Sequence, residues 1–350
     1  MSSNAALRKK NLIYTLVVLV LMYAVYLYRQ DRQPEAPMRL IELRGFTMGT
    51  TYQIKYIGNK VLQKEIDSVL RDFNQSLSTY IPGSEISVFN ETEQFKFVSP
   101  YFPQVLKISK KIHDLTAGAF DPTVMPLVKA WGFGPNKTEY EKEPNIDSLL
   151  QFVGMDKLAF DEKEVRKKLK GVQLDFNAVA QGQASDVIAK FLEGFGFENY
   201  MVEIGGEIIC RGKNANNETW TIGIENPLYE TEGGQRVFAV ASLDNAALVT
   251  SGNYRKFYVK DGKKFAHTLD PKTGRPVSHN LLSATVVTAS CADADALATA
   301  FMVMGKERAI AFAEKHSDIH IFLIYEENGK LTSFASEGMK KFLKITPEAQ

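Results

Sequence analysis

Polar and apolar positions divide the chain into two unequal parts. From Leu12 to Tyr28 nearly every residue is apolar and none is charged, with Arg8, Lys9 and Lys10 before the run and Arg29, Asp31 and Arg32 after it. The run has about the minimum length for a membrane-spanning helix, and it also suits the apolar core of a signal peptide. No small-x-small cleavage pattern follows it, and no cysteine stands where a lipid would attach, which favours an uncleaved anchor. The preceding basic cluster predicts an inside N-terminus and a folded body on the outer side of the membrane.

Past a polar linker with Pro34 and Pro37, the pattern becomes that of a folded body beginning near Arg39. Thr51 to Tyr56 alternates as a strand, entered through Phe46-Thr-Met-Gly-Thr, and Val61 to Leu77 has the spacing of an amphipathic helix. That helix runs into LSTYIPGSEISVFN, where Pro82, Gly83 and Ser84 mark a loop. Pro103 to Leu115 reads as a helix broken by Thr116-Ala-Gly-Ala-Phe-Asp-Pro, and residues 135–145 read as a charged surface loop. Val172 to Phe176 reads as a short strand, followed by NAVAQGQASD and a helix over Val187 to Glu193. From Tyr200 onward, β-branched and aromatic runs separated by turns predict strands, with hairpins at Asp261-Gly262 and Asn328-Gly329. ASCADADALATAFMVMG is a helix with few breakers, and Lys306 to His316 a shorter one. Helices and strands neither alternate strictly nor separate cleanly, so the fold class is α+β with antiparallel or mixed sheets.

Composition changes this picture little. The 350 residues are 45% hydrophobic and 24% charged, ordinary for a globular protein. A formal net charge of +1 gives no reason to expect a nucleic-acid partner. Two cysteines, Cys210 and Cys291, read as buried small apolar residues or as a pair, and there is no CxxC or HExxH pattern for zinc.

Candidate chemistry gathers in polar, glycine-bearing loops at the ends of apolar elements. Asp295 and Thr299 lie four apart on the ASCADADALATAFMVMG helix, so a carboxylate and a hydroxyl share one face, as a hard cation such as magnesium requires. Ahead of them, FAHTLDPKTGRPV packs His267, Asp270, Pro271 and Gly274 into turn chemistry, and Thr250-Ser251-Gly252 precedes it. Leu174-Asp-Phe-Asn-Ala-Val-Ala-Gln-Gly182 reads as a strand, glycine loop and helix start where a phosphate could sit, although it matches neither the Walker nor the Rossmann pattern. Ser185 and Asp186 beyond it read as helix caps. Met48-Gly49-Thr50, the Tyr80 loop, Gly118-Ala-Phe-Asp-Pro122 and the Gly205-Gly206 pair complete the set, each with an ordinary structural reading of its own.

Taken in order, MGTTY, LSTYIPGSEIS, GAFDPTV, PLV, WGFG, LDFNAVAQGQASD, EIGGE, TSGNY, HTLDPKTGRPV and ADALATAFMVMG closely resemble the ApbE family, the FAD:protein FMN transferases. The resemblance implies a T-fold-like α+β domain over residues 46–341, with 1–33 as anchor or signal segment, 34–45 as linker and 342–350 as tail. It implies FAD as substrate and Mg²⁺ as cofactor. FMN would pass from FAD to a threonine, or a serine, of a target protein, and AMP would leave. The targets implied are subunits of membrane redox complexes of the sodium-pumping quinone reductase type, with the catalytic body on the periplasmic side of a bacterial inner membrane. Carried over by position, Met48, Tyr80, Ala119, Phe120, Asp121, Asp175, Gln181, His267, Thr268 and Leu269 would contact FAD. The Ala178 carbonyl, Asp295 and Thr299 would hold magnesium, and His267 with Asp270 would serve as base and orienter. Gln181 stands where the family often has lysine or glutamate, and Ala298 where many members have serine. An FAD pyrophosphatase and a non-catalytic, membrane-tethered flavin-binding protein are the alternative readings.

Overall fold

In the computed structural model, the described residues are 2–30, 36–134, 144–229, 233, 235–253, 257–260, 263–266 and 268–345. The chain forms two units, Met1–Arg39 with Gly58–Lys60, and Leu40–Ile57 with Val61–Gln350. The first contains helix α1 (Ser2–Gln30), whose large side chains from Leu12 to Tyr26 are exposed. Among the described residues no helix is long and apolar enough to cross a membrane, where a spanning segment was expected. Side chains of α1 are described only from Lys10 to Tyr26.

All but the outer end residues of a first hairpin, β1 (Arg39–Thr47) and β2 (Thr50–Gly58), belong to the second unit, followed by α2 (Gln63–Leu77), α3 (Glu85–Glu91), β3 (Gln94–Lys96), α4 (Tyr101–Leu115), α5 (Met125–Ala130) and α6 (Ile146–Leu150). Strands β4 (Leu158–Phe160) and β5 (Glu164–Lys167) precede α7 (Ala180–Gly194). There follow β6 (Tyr200–Ile204), β7 (Glu207–Arg211), β8 (Trp220–Glu225), β9 (Val237–Leu243), β10 (Ala246–Gly252), β11 (Phe257–Lys260), β12 (Lys263–Ala266) and β13 (Leu281–Thr288). The chain closes with α8 (Cys291–Met304), α9 (Lys306–Ala313), β14 (His320–Glu327), β15 (Lys330–Ala335), α10 (Glu337–Lys340) and β16 (Leu343–Ile345).

An eight-stranded sheet in the order β1-β2-β6-β7-β10-β13-β14-β15 organises the unit, and the pairings from β2 through β15 are antiparallel. Its central strands are buried on both faces, which is why AALVT, ATVVT and IFLI read as continuous apolar runs instead of alternating. Along β10, β13 and β14, Ala247, Val249, Val286, Ile321 and Leu323 join the main core with α7 and α8. The intervening Leu248, Val287, Phe322 and Ile324 join a second core with β8 and β9, which form a small sheet in the order β16-β9-β8.

Several boundaries move. The sheet starts at Arg39, inside the stretch expected as linker, and β16 lies in the expected tail, paired with β9. Residues 172–176 are not a strand of any sheet. Only Gln173 makes an isolated parallel bridge, to Val124, while the Asn90 side chain pairs with both backbone groups of Leu174. Helix α7 begins at Ala180, seven residues before the predicted start, so Gly182 sits in a helical turn and not in a loop. Helix α3 replaces part of the expected loop after Pro82, with Ser84 as its N-cap accepting from the Ser87 amide at 3.1 Å. Cys210 and Cys291 are both buried and unpaired with each other.

Candidate functional site

The start of α7 and the start of α8 cross with backbone close to backbone. A Cβ on Gly182 would lie 2.4 Å from the Cys291 carbonyl oxygen and 2.8 Å from Asp295 Cβ, so only glycine permits this crossing. The Gly182 amide donates to Asp295 Oδ2 at 3.0 Å. Asp295 is only 5% exposed. Burial pushes its carboxyl up to about 7, against the lowering effect of the Gly182 hydrogen bond and with a further rise from the charge of Asp186. One turn along α8, Thr299 lies with its hydroxyl 3.4 Å from that of Ser251 at the end of β10. Ala178 stands in the turn entering α7, partly buried against the main core.

Glycines also draw the neighbouring loops together. The β1–β2 turn is Met48-Gly49, both left-handed (φ 52° and 72°), and the β6–β7 turn is Gly205-Gly206 (φ 72° and 111°). A Cβ on Gly205 would meet Gln181 Nε2 at 2.7 Å, Glu207 Oε2 at 2.9 Å and Thr50 at 3.0 Å. Gln181 is thereby placed at the meeting of the two turns. The Asp175 amide donates to the Pro122 carbonyl at 2.7 Å, joining the turn before α7 to the Phe120–Pro122 segment. Tyr80 is 61% exposed. Its phenol is pushed up by partial burial and further by the charge of Asp175.

The turn after α4 is held internally. Ala117 and Gly118 are left-handed (φ 50° and 79°), and Asp121 Oδ1 accepts from the Thr123 amide at 2.8 Å and its hydroxyl at 2.6 Å. Asp121 is buried, and that burial pushes its carboxyl up, while the Thr123 hydrogen bonds and the nearby His113 oppose the shift. The Phe120 side chain is only 3% exposed and belongs to the main core, with Ala119 beside it, so neither side chain faces the surface. Asp270 closes its own turn, with Oδ1 accepting from the Lys272 amide at 2.9 Å and its carbonyl from the Gly274 amide at 2.8 Å. Trp131 Nε1 donates to the Gly274 carbonyl at 2.8 Å, anchoring this turn on the small cluster of Leu127, Trp131, Ile146, Val153 and Leu269. Thr268 donates its hydroxyl to Asn253 Oδ1 at 2.7 Å. His267 lies outside the described residues.

Among the described residues no group of three or more histidine, cysteine, aspartate or glutamate side chains gathers as a metal centre. Beside the α7–α8 junction stand the Asp295 carboxylate and, one turn along α8, the Thr299 hydroxyl with that of Ser251, all oxygen donors. An oxygen set with one buried carboxylate, one of its oxygens held by an amide, fits a hard divalent ion that completes its shell with ligand oxygens and water. Ser251, which the sequence marks only as part of Thr250-Ser251-Gly252, meets Thr299 across 48 residues through the β10–α8 packing.

Fold and site together define an antiparallel α+β protein whose glycine-opened turns and oxygen donors converge on one helix junction. The profile of the ApbE family matches residues 48–323, and the chain belongs to that family. It is 38% identical over 325 residues to a Haemophilus influenzae protein named FAD:protein FMN transferase, covering 88% of this chain and 92% of that one. A Vibrio cholerae protein of the same name is 38% identical over 320 residues, covering 88% and 94%. Among solved structures, the flavin transferase ApbE from Vibrio cholerae aligns with a TM-score of 0.77 at 37% identity, over 87% of this chain and all of that one. The apo flavinyl transferase ApbE of Pseudomonas stutzeri aligns with a TM-score of 0.79 at 30% identity, over 87% and 97%.

Proposed function

We propose that this chain is a magnesium-dependent FAD:protein FMN transferase. The acceptor is a threonine or serine hydroxyl of a target protein. In the reaction the acceptor oxygen bonds to the phosphorus of the FMN half, the pyrophosphate P–O bond breaks, AMP leaves, and the hydroxyl proton is released. The observation that carries this reading is the buried Asp295 beside Thr299 and the start of α7, in a chain 38% identical to proteins of that name.

Asp295, Thr299 and the Ala178 carbonyl would hold the metal. A magnesium ion there, when bound, offsets charge on the pyrophosphate and on the departing phosphate. Tyr80 offers an exposed ring face for the flavin, with Met48 and the backbone of Ala119 and Phe120 as further walls. Asp121, Asp175, Gln181, Thr268 and Leu269 contribute the remaining FAD contacts. His267 would take the acceptor proton as general base, with Asp270 as its orienter. The uncharged run Leu12–Tyr28 and the basic residues before it support an N-terminal anchor that keeps the body on the extracytoplasmic face of the inner membrane, where acceptor subunits of redox complexes are exposed.

The test is to incubate the full chain in detergent with FAD, Mg²⁺ and an acceptor domain, then look for a covalent fluorescent adduct and for AMP. Adduct with AMP is the expected result. AMP and free FMN without adduct would establish a pyrophosphatase, and FAD binding with neither product a flavin carrier. Asp295→Ala is expected to abolish turnover.

A further inference from the structure

Asp186 is a half-buried carboxylate on α7, one turn beyond Gly182, and the proposed reaction does not use it. It does not cap its own helix. Its Oδ1 accepts from the Cys291 amide at 2.9 Å, and its Oδ2 accepts from the Ala292 amide at 3.0 Å and the Ser290 hydroxyl at 2.8 Å. All three donors are at the N-terminal end of α8, where a negative charge is favoured by free amides and by the helix dipole. The helix's own cap is the weaker contact, from the Asp293 amide to Ser290 Oγ at 3.3 Å.

The positions form a ladder between antiparallel helices. On α7, Gly182 and Asp186 are four apart; on α8, Asp295 and Cys291 are four apart in the reverse direction. Gly182 binds Asp295, and Asp186 binds Cys291. Four residues rise about 6 Å along a helix, so the rungs are separated equally on both sides. One rung alone would leave α8 free to pivot about it, whereas two fix both the slide and the rotation of Asp295 relative to the start of α7. The far end of α8 is held as well, by Arg308 on the Met304 and Val303 carbonyls at 2.8 and 3.0 Å.

We propose that Asp186 is a positioning residue for the metal site, holding the first turn of α8 so that Asp295 and Thr299 face the turn before α7. The proposal rests on the metal reading given under Proposed function. Magnesium tolerates less geometric error than larger cations, so loosening the ladder weakens Mg²⁺ binding more than FAD binding. Residues that orient metal ligands from behind typically contribute about 10- to 100-fold in metal affinity.

The experiment is calorimetric titration of Mg²⁺ into the full chain saturated with FAD, without acceptor, for the wild type, Asp186→Asn and Ser290→Ala. Ser290→Ala removes α8's own cap and one of the three donors to Asp186 while leaving both amide bonds in place, so it reports the loss of the cap with the rungs of the ladder kept. The expected result is Mg²⁺ affinity lowered about tenfold or more in Asp186→Asn, with FAD affinity unchanged and Mg²⁺ affinity retained in Ser290→Ala. Wild-type Mg²⁺ affinity in Asp186→Asn, or equal losses in the two variants, overturns the proposal and leaves the metal assignment standing. A wild type that does not titrate overturns the metal assignment and the proposal with it. Asp186→Glu keeps the carboxylate on an arm one methylene longer, and it is read in the same way if Asp186→Asn does not fold.

Discussion

Replacing Gly182 by alanine tests the helix crossing on which the site depends. The added methyl would lie 2.4 Å from the Cys291 carbonyl oxygen, 2.7 Å from its carbon and 2.8 Å from Asp295 Cβ. Two of these atoms are helical backbone and cannot swing aside, so α7 and α8 must separate. Overpacking of this kind costs about 1–3 kcal/mol. Stretching the amide bond to a buried carboxylate costs about 1.5–3 kcal/mol more. Better helix propensity returns about 1 kcal/mol. The net expectation is a loss of about 1.5–5 kcal/mol, a large share of the ~5–15 kcal/mol that stabilises a typical fold. Gly194 is the control on the same helix, since a methyl there meets nothing within 4 Å and its φ is not left-handed. Gly194→Ala should be neutral or stabilising by up to about 1 kcal/mol. Both variants are compared with wild type by urea denaturation at constant pH, following tryptophan fluorescence and far-ultraviolet circular dichroism. If Gly182→Ala unfolds within about 0.5 kcal/mol of wild type, the range of an ordinary surface change, or if Gly194→Ala loses as much, the steric reasoning is wrong.

Further expectations concern the surrounding turns and the acid–base balance of the fold. Gly205→Ala puts a methyl against Gln181, Glu207 and Thr50, whereas Gly206→Ala meets nothing within 4 Å; both carry left-handed φ. Both should therefore lose about 1 kcal/mol or more, but only Gly205→Ala should raise the FAD concentration for half-saturation, measured by flavin fluorescence. Ser251→Ala removes the hydroxyl 3.4 Å from Thr299. It should weaken Mg²⁺ binding about tenfold, while thermal melting shifts little. Lys167 donates to the Asn90 carbonyl at 2.9 Å over the Phe89 ring. Burial pulls its ammonium down to about 8, against the raising effect of Glu91 and Glu93. Because the unfolded chain binds this proton up to about pH 10.4, it holds more protons than the native state between about 8 and 10. Stability contributed by this group therefore rises with pH across that window, by about 1 kcal/mol after allowing for solvent screening of a half-exposed group. Urea midpoints at pH 7 to 10 should show the rise in wild type and a flatter profile in Lys167→Met.

Local periodicity carried much of the architecture into the sequence. Asp295 and Thr299 were legible as a pair because a helix repeats every 3.6 residues, and nothing beyond the helix is needed to put them on one face. The Asn328-Gly329 hairpin was legible because both residues take left-handed φ, 53° and 73°, as a tight turn demands. Residues 172–176 misled for a related reason: an apolar run flanked by turn residues fits a strand, yet the backbone of Leu174 is satisfied by the Asn90 side chain, 84 residues away in sequence. Gly182 likewise looked like a phosphate loop, because a glycine before a helix is common there, and its contact with α8 lies 113 residues away. Asp186 was read as a cap, which it is, but of α8 and not of its own helix. The sequence alone thus determined that Asp295 and Thr299 share one helix face and where the glycine-bearing turns fall. Tertiary packing decided which helices are pressed close enough to align those groups, because hydrogen bonds and close contacts between distant segments leave no periodic trace along the chain.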